Sequence, residues 1–386
     1  MVDSPQTGFA ESLIKNTVPA TGANLVGAYL FPGWETQRQW LPISSHPCLG
    51  HYNQAKPRVA EWHIKWAAEH GVHFFAFDWY WRLGKENLNS ALDAFLQAGN
   101  VSAMRFCLHA CNEAYFQPVK QGRCEQYFDW GIEWELDSPQ DFIHDLSAED
   151  CCRMFAHAAE RYFSHPSYLT IDHRPVFVQY RANLILRALG ISGTRSMFEQ
   201  VRRLLSAKGF DLYLVAGGSC IHPDYFKSLK AAGFDAATGY NYIWTKAQIH
   251  EHDGKRTMRG TYDDAIVGSE ETWKRLLSTC TAQGIDFIPP ICPGFDNSPW
   301  SGSVVITGNT PAKFKQMCER VKPYLSPRHR MVLIEAWNEW GEGSVLEPAQ
   351  EWGFAYLDAV RDVFANAGSC PSHDLPVSVS DMAVTM

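Results

Sequence analysis

The chain has 386 residues, 46% hydrophobic and 20% charged, with a formal net charge of −8. That is enough sequence for one large barrel or two ordinary domains, and enough apolar mass for a sizeable core. The acidic balance and the lack of a basic run argue against a nucleic-acid or anionic-membrane partner, and no apolar stretch approaches the ~20 residues of a membrane span.

Residues Met1–Asn16 are polar and mixed in charge, without the basic start and apolar stretch of a secretory signal, so a cytoplasmic location is expected. A first β-forming run, Leu25–Phe31, leads into Pro32-Gly33-Trp34. That turn cannot cradle a phosphate, and no GxGxxG or GxxxxGK[ST] occurs, which disfavours a doubly wound open sheet. Pro57, then Val59, Trp62 and Trp66 at helical spacing, then Gly71, predict a helix. His63 and His70 lie on it seven residues apart and are expected to face solvent. Further strands are predicted at His73–Trp79, Arg105–Ala110, Val176–Tyr180, Leu212–Ala216, Ala236–Tyr240, Phe287–Ile291 and Met331–Trp337. Helical spacing recurs in Ala148–Phe163, Arg195–Ala207 and Glu270–Ala282. A last helix is expected from near Pro348, with Trp352, Tyr356, Ala359, Val360 and Val363 on one stripe and Gly368 after it.

Eight strands alternating with helices predict a single (β/α)8 TIM barrel of the α/β class, spanning residues 25–367. Residues 1–24 read as an N-terminal extension. Residues 368–386, with Pro371 and Pro376, read as a flexible tail. Three inserts, Cys111–Leu146, Asn241–Gly268 and Phe295–Asn309, follow strands and belong on the C-terminal face, where this fold builds its sites. The 11 cysteines are scattered without a CxxC pair, which suits a reducing compartment and gives no zinc framework.

The most informative stretch follows the last strand: Trp337-Asn338-Glu339-Trp340-Gly341-Glu342-Gly343-Ser344. On one helical turn, side chains three apart lie ~5–6 Å from each other at Cβ. Two carboxyls that close cannot both ionise freely, so one tends to hold its proton. A protonated acid beside an ionised base is what glycosidic cleavage requires. The other strand ends offer rings and short polar groups suited to sugars. They are Tyr29 and Trp34; Asp78, Trp79, Tyr80 and Trp81; His109, Asn112 and Glu113; Gln179, Tyr180 and Arg181; Tyr240, Asn241, Tyr242 and Trp244; and Asp296, Asn297 and Trp300. His51 and Tyr52, in the first long connection, join Trp337 and Asn338 among the candidate substrate contacts. Glu335 alternates toward the barrel interior and reads as a buried, satisfied acid. Glu347 and Glu351 are expected to favour the dipole of the last helix. The 14 tryptophans point either to exposed rings for sugar faces or to large core anchors.

Taken together, Gly27-Ala28-Tyr29, Phe31-Pro32-Gly33-Trp34, His46-Pro47, Phe75-Ala76-Phe77-Asp78-Trp79-Tyr80-Trp81 and Trp337-Asn338-Glu339-Trp340-Gly341-Glu342-Gly343 resemble the WbsX-type family of polysaccharide-cluster proteins. That family is related to glycoside hydrolase family 99, the endo-α-1,2-mannosidases and mannanases. The resemblance implies a barrel without metal or organic cofactor, acting on an oligosaccharide or polysaccharide. It implies that Glu339 is the base that deprotonates a sugar 2-hydroxyl, giving a 1,2-anhydro sugar. Glu342 is then the acid that protonates the leaving oxygen and later activates water, with net retention. Gly341 and Ser344 depart from the histidine and threonine of family 99. Two other readings stand beside the hydrolase: a glycosyltransferase or transglycosylase of surface-polysaccharide assembly, and a non-catalytic glycan-binding barrel. For the transferase, no DxD-type metal site is present, and Asp263-Asp264 is an acidic pair expected in a loop.

Overall fold

The computed structural model describes residues 14–384 apart from 41–42, 44, 113–115, 119–141, 145, 253–254, 367 and 369. Each predicted apolar run carries a strand. β1 (Leu25–Leu30), β2 (Phe74–Arg82), β3 (Arg105–Ala110), β4 (Arg174–Gln179), β5 (Tyr213–Ala216) and β6 (Ala236–Thr238) pair in sequence order, all parallel. β7 comes in two pieces. Asp286–Ile288 pairs with β6, and Pro290–Ile291 pairs with β8 (Met331–Ile334). Pro289 and Pro290 bring no N–H to the ladder, so the strand passes there from one neighbour to the other. β8 pairs with β1, Leu25 opposite Met331, and the barrel closes.

One helix follows each strand: α1 (Pro57–Glu69), α2 (Ser90–Leu96), α3 (Ala148–Ala158), α4 (Ala182–Ala207), α5 (Pro223–Ala232), α6 (Tyr262–Gln283), α7 (Pro311–Val321) and α8 (Ala355–Phe364). Proline opens α1, α5 and α7, where its missing N–H costs nothing. Ser147, Thr261 and Thr310 cap α3, α6 and α7 by accepting a backbone N–H. α4 starts earlier than expected and is two helical pieces joined at Gly190, whose φ of 66° lies in the left-handed region.

α6 also starts earlier than expected. Asp263 and Asp264 therefore lie in its first turn, where acids suit the helix dipole, and not in a loop. Lys313 pairs with Asp263 at 2.7 Å. α8 starts at Ala355 and not near Pro348, because residues 347–354 form turns. This takes Glu347 and Glu351 away from its first turn and leaves Trp352 exposed.

The inserts after β6 and β7 build one sheet. Gln248–His252 pairs with Lys255–Thr261, which pairs with Val304–Thr307, which pairs with Phe295–Asp296. Most of Cys111–Leu146, including Glu113, lies outside the described residues. Within it, Phe116–Pro118 pairs with Phe142–His144.

Burial decides between the two readings of the tryptophans and overturns one expectation about histidines. Among the described tryptophans only Trp300 and Trp352 are exposed; the others lie in the core and act as core anchors. His63 and His70 are both buried, because α1 also packs against the turns before α8 and the chain beyond it. That last segment is not loose where it is described. Met382 is fully buried, its C=O accepts the Asn53 N–H at 2.7 Å, and the Trp66 indole donates to Asp374 O at 2.9 Å. No helix among the described residues is long and apolar enough to cross a membrane.

Candidate active site

β8 ends at Ile334, three residues before the predicted end, and the Glu335–Ala336 peptide is cis. Asn338–Glu339 then pairs antiparallel with Ser344–Val345. Glu339 and Glu342 are thus carried by a hairpin and not by a helical turn. The Glu342 N–H donates to Glu339 O at 3.1 Å, which closes the turn between them. Gly343 has φ of 64°, and a Cβ there would lie 3.1 Å from the backbone N and O of Asp296. Glycine permits both the left-handed turn and this close approach. The Asp296 N–H donates to Glu342 O at 2.6 Å, tying the hairpin to the β7 insert.

The base of the hairpin is fixed to the end of β1. The Trp337 N–H donates to Tyr29 O at 2.7 Å. The Asn338 side chain mimics a strand: its Oδ1 accepts the Phe31 N–H at 2.9 Å and its Nδ2 donates to Phe31 O at 3.0 Å. Trp34 Nε1 donates to Asn338 O at 2.8 Å. Tyr52 donates to Glu347 Oε2 at 2.7 Å and accepts from Trp340 Nε1 at 3.4 Å; His63 Nε2 meets Glu347 Oε1 at 3.0 Å. Trp34, Tyr52, Trp337 and Asn338 are fully buried, so these expected substrate contacts instead brace the hairpin from below. A buried turn must have its backbone and amide groups paired, and they supply the pairing. His51 stacks on Trp40 at 5.1 Å between centroids, and its C=O accepts the Val384 N–H. It belongs to the contact with the C-terminal segment.

The barrel interior presents a ring of aromatic groups. Tyr29, His109, Tyr180 and Tyr240, from the ends of β1, β3, β4 and β6, touch in sequence with centroids 4.5, 5.0 and 5.5 Å apart; Tyr240 returns to Tyr29 at 5.5 Å. At one side, His109 Nδ1 is 2.6 Å from Asp78 Oδ1. At the other, the Tyr240 hydroxyl donates to Glu339 Oε1 at 3.3 Å. Tyr80 lies two residues beyond Asp78, on the same face of β2 and partly exposed. Tyr242 is buried as a wedge: a Cβ on Gly239 would meet its ring at 2.4 Å. Asn112 is buried, with both amide atoms lacking partners among the described residues. The Asp296 carboxylate accepts the Ser298 N–H at 2.9 Å.

Trp300 is 47% exposed and covers Gly341. A Cβ on Gly341 would lie 1.9 Å from Trp300 Cε2, so no side chain fits there while the indole holds its place. The glycine thus opens one hairpin position to an aromatic ring beside Glu342.

His109 and Tyr180 were among the expected strand-end groups, whereas Glu335 was expected as a satisfied acid and Cys292 was not expected at all. Glu335 is fully buried; its Oε2 accepts from Asn241 Nδ2 at 3.0 Å and from Cys292 Sγ at 2.9 Å, while Oε1 has no partner among the described residues. The expected satisfied acid is only half satisfied. The period-two pattern running from Leu333 marks it as inward-facing. Nothing in the sequence marks Cys292, which comes from a different strand end.

Four carboxyls therefore share this interior. Burial raises the Asp78 pKa, and the His109 contact partly offsets it. Burial, then the charge of Asp78, push Glu342 up to about 7. Burial, then the charges of Glu342, Asp78 and Glu335, raise Glu339, against the Tyr240 hydrogen bond. Glu335 is raised by burial and by Glu342. The Tyr240 phenol is raised by burial and then by Glu339, Glu342, Glu335 and Asp78, so all four acids converge around it. When Glu342 holds a proton, its push on Glu339 disappears and Glu339 ionises more readily.

The ligand atoms of Asp78, His109 and Cys111 lie within 4.8 Å of one another. The Asp78–His109 contact, at 2.6 Å, is a hydrogen bond shorter than the ~3.3 Å between two donors on one tetrahedral ion.

Comparison with known proteins agrees with this architecture. A family model described as "Glycosyltransferase WbsX" matches residues 38–360. Two curated relatives, both "Uncharacterized protein WxcX" from strains of Xanthomonas campestris pv. campestris, are 26% identical over 331 residues. That match covers 83% of this chain but 43% of theirs, so the chain spans less than half the length of those relatives. A solved "Glycoside hydrolase-like protein" superposes with a TM-score of 0.65 at 17% identity, covering 93% of this chain and 99% of the other. The GH99 endo-alpha-mannosidase from Bacteroides thetaiotaomicron superposes with a TM-score of 0.60 at 15% identity, covering 88% and 95%. At these identities the likeness is one of fold. With the strand order closed, the acidic hairpin after β8 in place and most of its length matched, the chain belongs to the WbsX family.

Proposed function

We propose that this protein is a cofactor-independent retaining glycoside hydrolase acting on α-linked, manno-configured glycans. The observation that carries the proposal is the carboxyl cluster at the barrel mouth, in which Glu339 and Glu342 share one hairpin and burial and Asp78 push Glu342 up to about 7. A carboxyl poised near neutrality can give a proton in one step and take one in the next.

In the proposed reaction Glu339 takes the proton from the sugar 2-hydroxyl, and O2 attacks C1. The bond from C1 to the leaving oxygen breaks as Glu342 gives that oxygen its proton. The product is a 1,2-anhydro sugar. Glu342, now ionised, takes a proton from water, which attacks C1. O2 leaves C1 and recovers its proton from Glu339. Two inversions give retention. The route needs a 2-hydroxyl trans to the leaving group, which is the α-manno arrangement. The Trp300 face beside Glu342 is the surface on which a sugar ring would stack.

The test is incubation with a panel of α-linked oligosaccharides, following the first-released anomer by NMR. Glu342→Gln should lose about 10²–10⁴-fold on these substrates. It should recover in part on activated aryl glycosides, whose leaving groups need little protonation. Equal loss on both classes would remove Glu342 from the acid role. The family description favours a second reading, glycosyl transfer. Turnover of a nucleotide sugar with no turnover of oligosaccharide alone would select it. Oligosaccharide binding without turnover of either would make the barrel a binding module.

A further inference from the structure

Outside the barrel mouth, one cluster of side chains is built like a ligand set. His70 caps the C-terminus of α1, Asp358 lies in the first turn of α8, and His373 belongs to the segment after α8. One ligand atom from each of the three lies within 4.8 Å of the other two. Asp358 Oδ1 is 3.5 Å from His70 Nε2 and 2.9 Å from His373 Nε2.

His70 is fully buried, and its Nδ1 is 2.6 Å from Trp66 O. A carbonyl only accepts, so Nδ1 carries the proton. In the neutral ring Nε2 is then a bare lone pair, without a hydrogen-bond partner, aimed at a carboxylate oxygen. His70 is buried and Asp358 is 40% exposed, and two acceptors 3.5 Å apart repel unless a proton or a metal ion lies between them. A backbone carbonyl holding the far nitrogen is also how metal-bound histidines are oriented.

We propose that His70, Asp358 and His373 form a binding site for a zinc-class divalent cation, which fastens the chain after α8 to the barrel. Imidazole nitrogen and carboxylate oxygen are the donors such ions take. Donors ~2.0–2.1 Å from a tetrahedral ion lie about 3.3 Å apart, and the two measured separations bracket that value. His373 is half exposed, so the fourth position opens to water. The three ligands come from α1, α8 and the segment beyond α8. A bound ion therefore joins parts of the chain that are otherwise held here by the His373 ring against Phe354 and Asp358, the Ser372 N–H to Glu69 and the Trp66 indole to Asp374 O.

The experiment is titration of the chelator-stripped full chain with Zn2+ by calorimetry and with Co2+ by visible absorption. The expected result is one equivalent bound, with weak Co2+ bands and no thiolate charge-transfer band. His373→Ala changes a half-exposed side chain and should fold; it should weaken binding by more than about 100-fold. Asp358→Asn should also weaken it. Zn2+ should slow proteolysis of residues 370–384 in the unmodified protein and not in His373→Ala. Three results would overturn the proposal: no saturable binding, equal binding by His373→Ala, or a thiolate band placing the ion on cysteine.

Discussion

Asp78→Asn tests the carboxyl cluster without touching either hairpin glutamate. Asn Oδ1 still accepts the Nδ1–H of His109, whose contact with Asp78 is 2.6 Å, so the ring keeps its place while one negative charge is lost. Burial is the larger cause of the Glu342 shift and Asp78 the second. The Glu342 pKa should therefore fall from about 7 toward, but not to, the ordinary value of 4.5. A general acid works only while protonated, so activity is present below this limb and lost as pH rises through it. With its pKa at about 7, Glu342 is about half protonated at pH 7. A fall of about one unit leaves roughly one-tenth protonated, about a fivefold loss at pH 7 with little loss at pH 5. The assay is kcat/KM against pH on the best oligosaccharide, together with a 13C NMR titration of the glutamate carboxyls, which needs no substrate. A basic limb that stays in place or moves to higher pH would refute the electrostatic reading.

Glu342 also makes a stability prediction. Its folded pKa lies above its unfolded value, so the folded chain keeps a proton that the unfolded chain releases. The penalty is absent below the unfolded pKa and complete above about 7. Glu342→Gln should thus be more stable than the parent by up to about 3 kcal/mol at pH 8 and equal to it at pH 4. A pH-independent difference in urea unfolding would contradict this. Tyr52→Phe leaves a buried Glu347 oxygen and the Trp340 indole each short of a partner. It should cost about 1–3 kcal/mol in urea unfolding; a change under about 0.5 kcal/mol would show that the brace is dispensable. Gly341→Ala places a Cβ where the Trp300 indole lies, so the ring must move. Glycan binding should weaken about two- to tenfold, as Trp300→Ala would also do, with little change in stability. Unchanged affinity in both variants would take Trp300 out of the sugar site.

The periodicity of the sequence determined the barrel. Eight β-forming runs separated by helical stripes leave few topologies, and Pro57 and Gly71 mark helix ends by local rules that need no tertiary partner. Glu339 and Glu342 were legible for a similar reason, since their spacing along the chain already sets their proximity. What the folded chain decided is everything that depends on burial and on residues far apart in sequence. Asn338, Tyr52 and Trp34 have the composition of a sugar site, yet they are sealed beneath the hairpin because its buried amides required partners. Glu335 became part of the cluster through Asn241 and Cys292, contributed by the ends of β6 and β7. Trp300 covers Gly341 across a long separation in the chain, and His70 meets His373 across most of its length. A local pattern fixes which face a residue lies on; only the closed barrel fixes what that face meets.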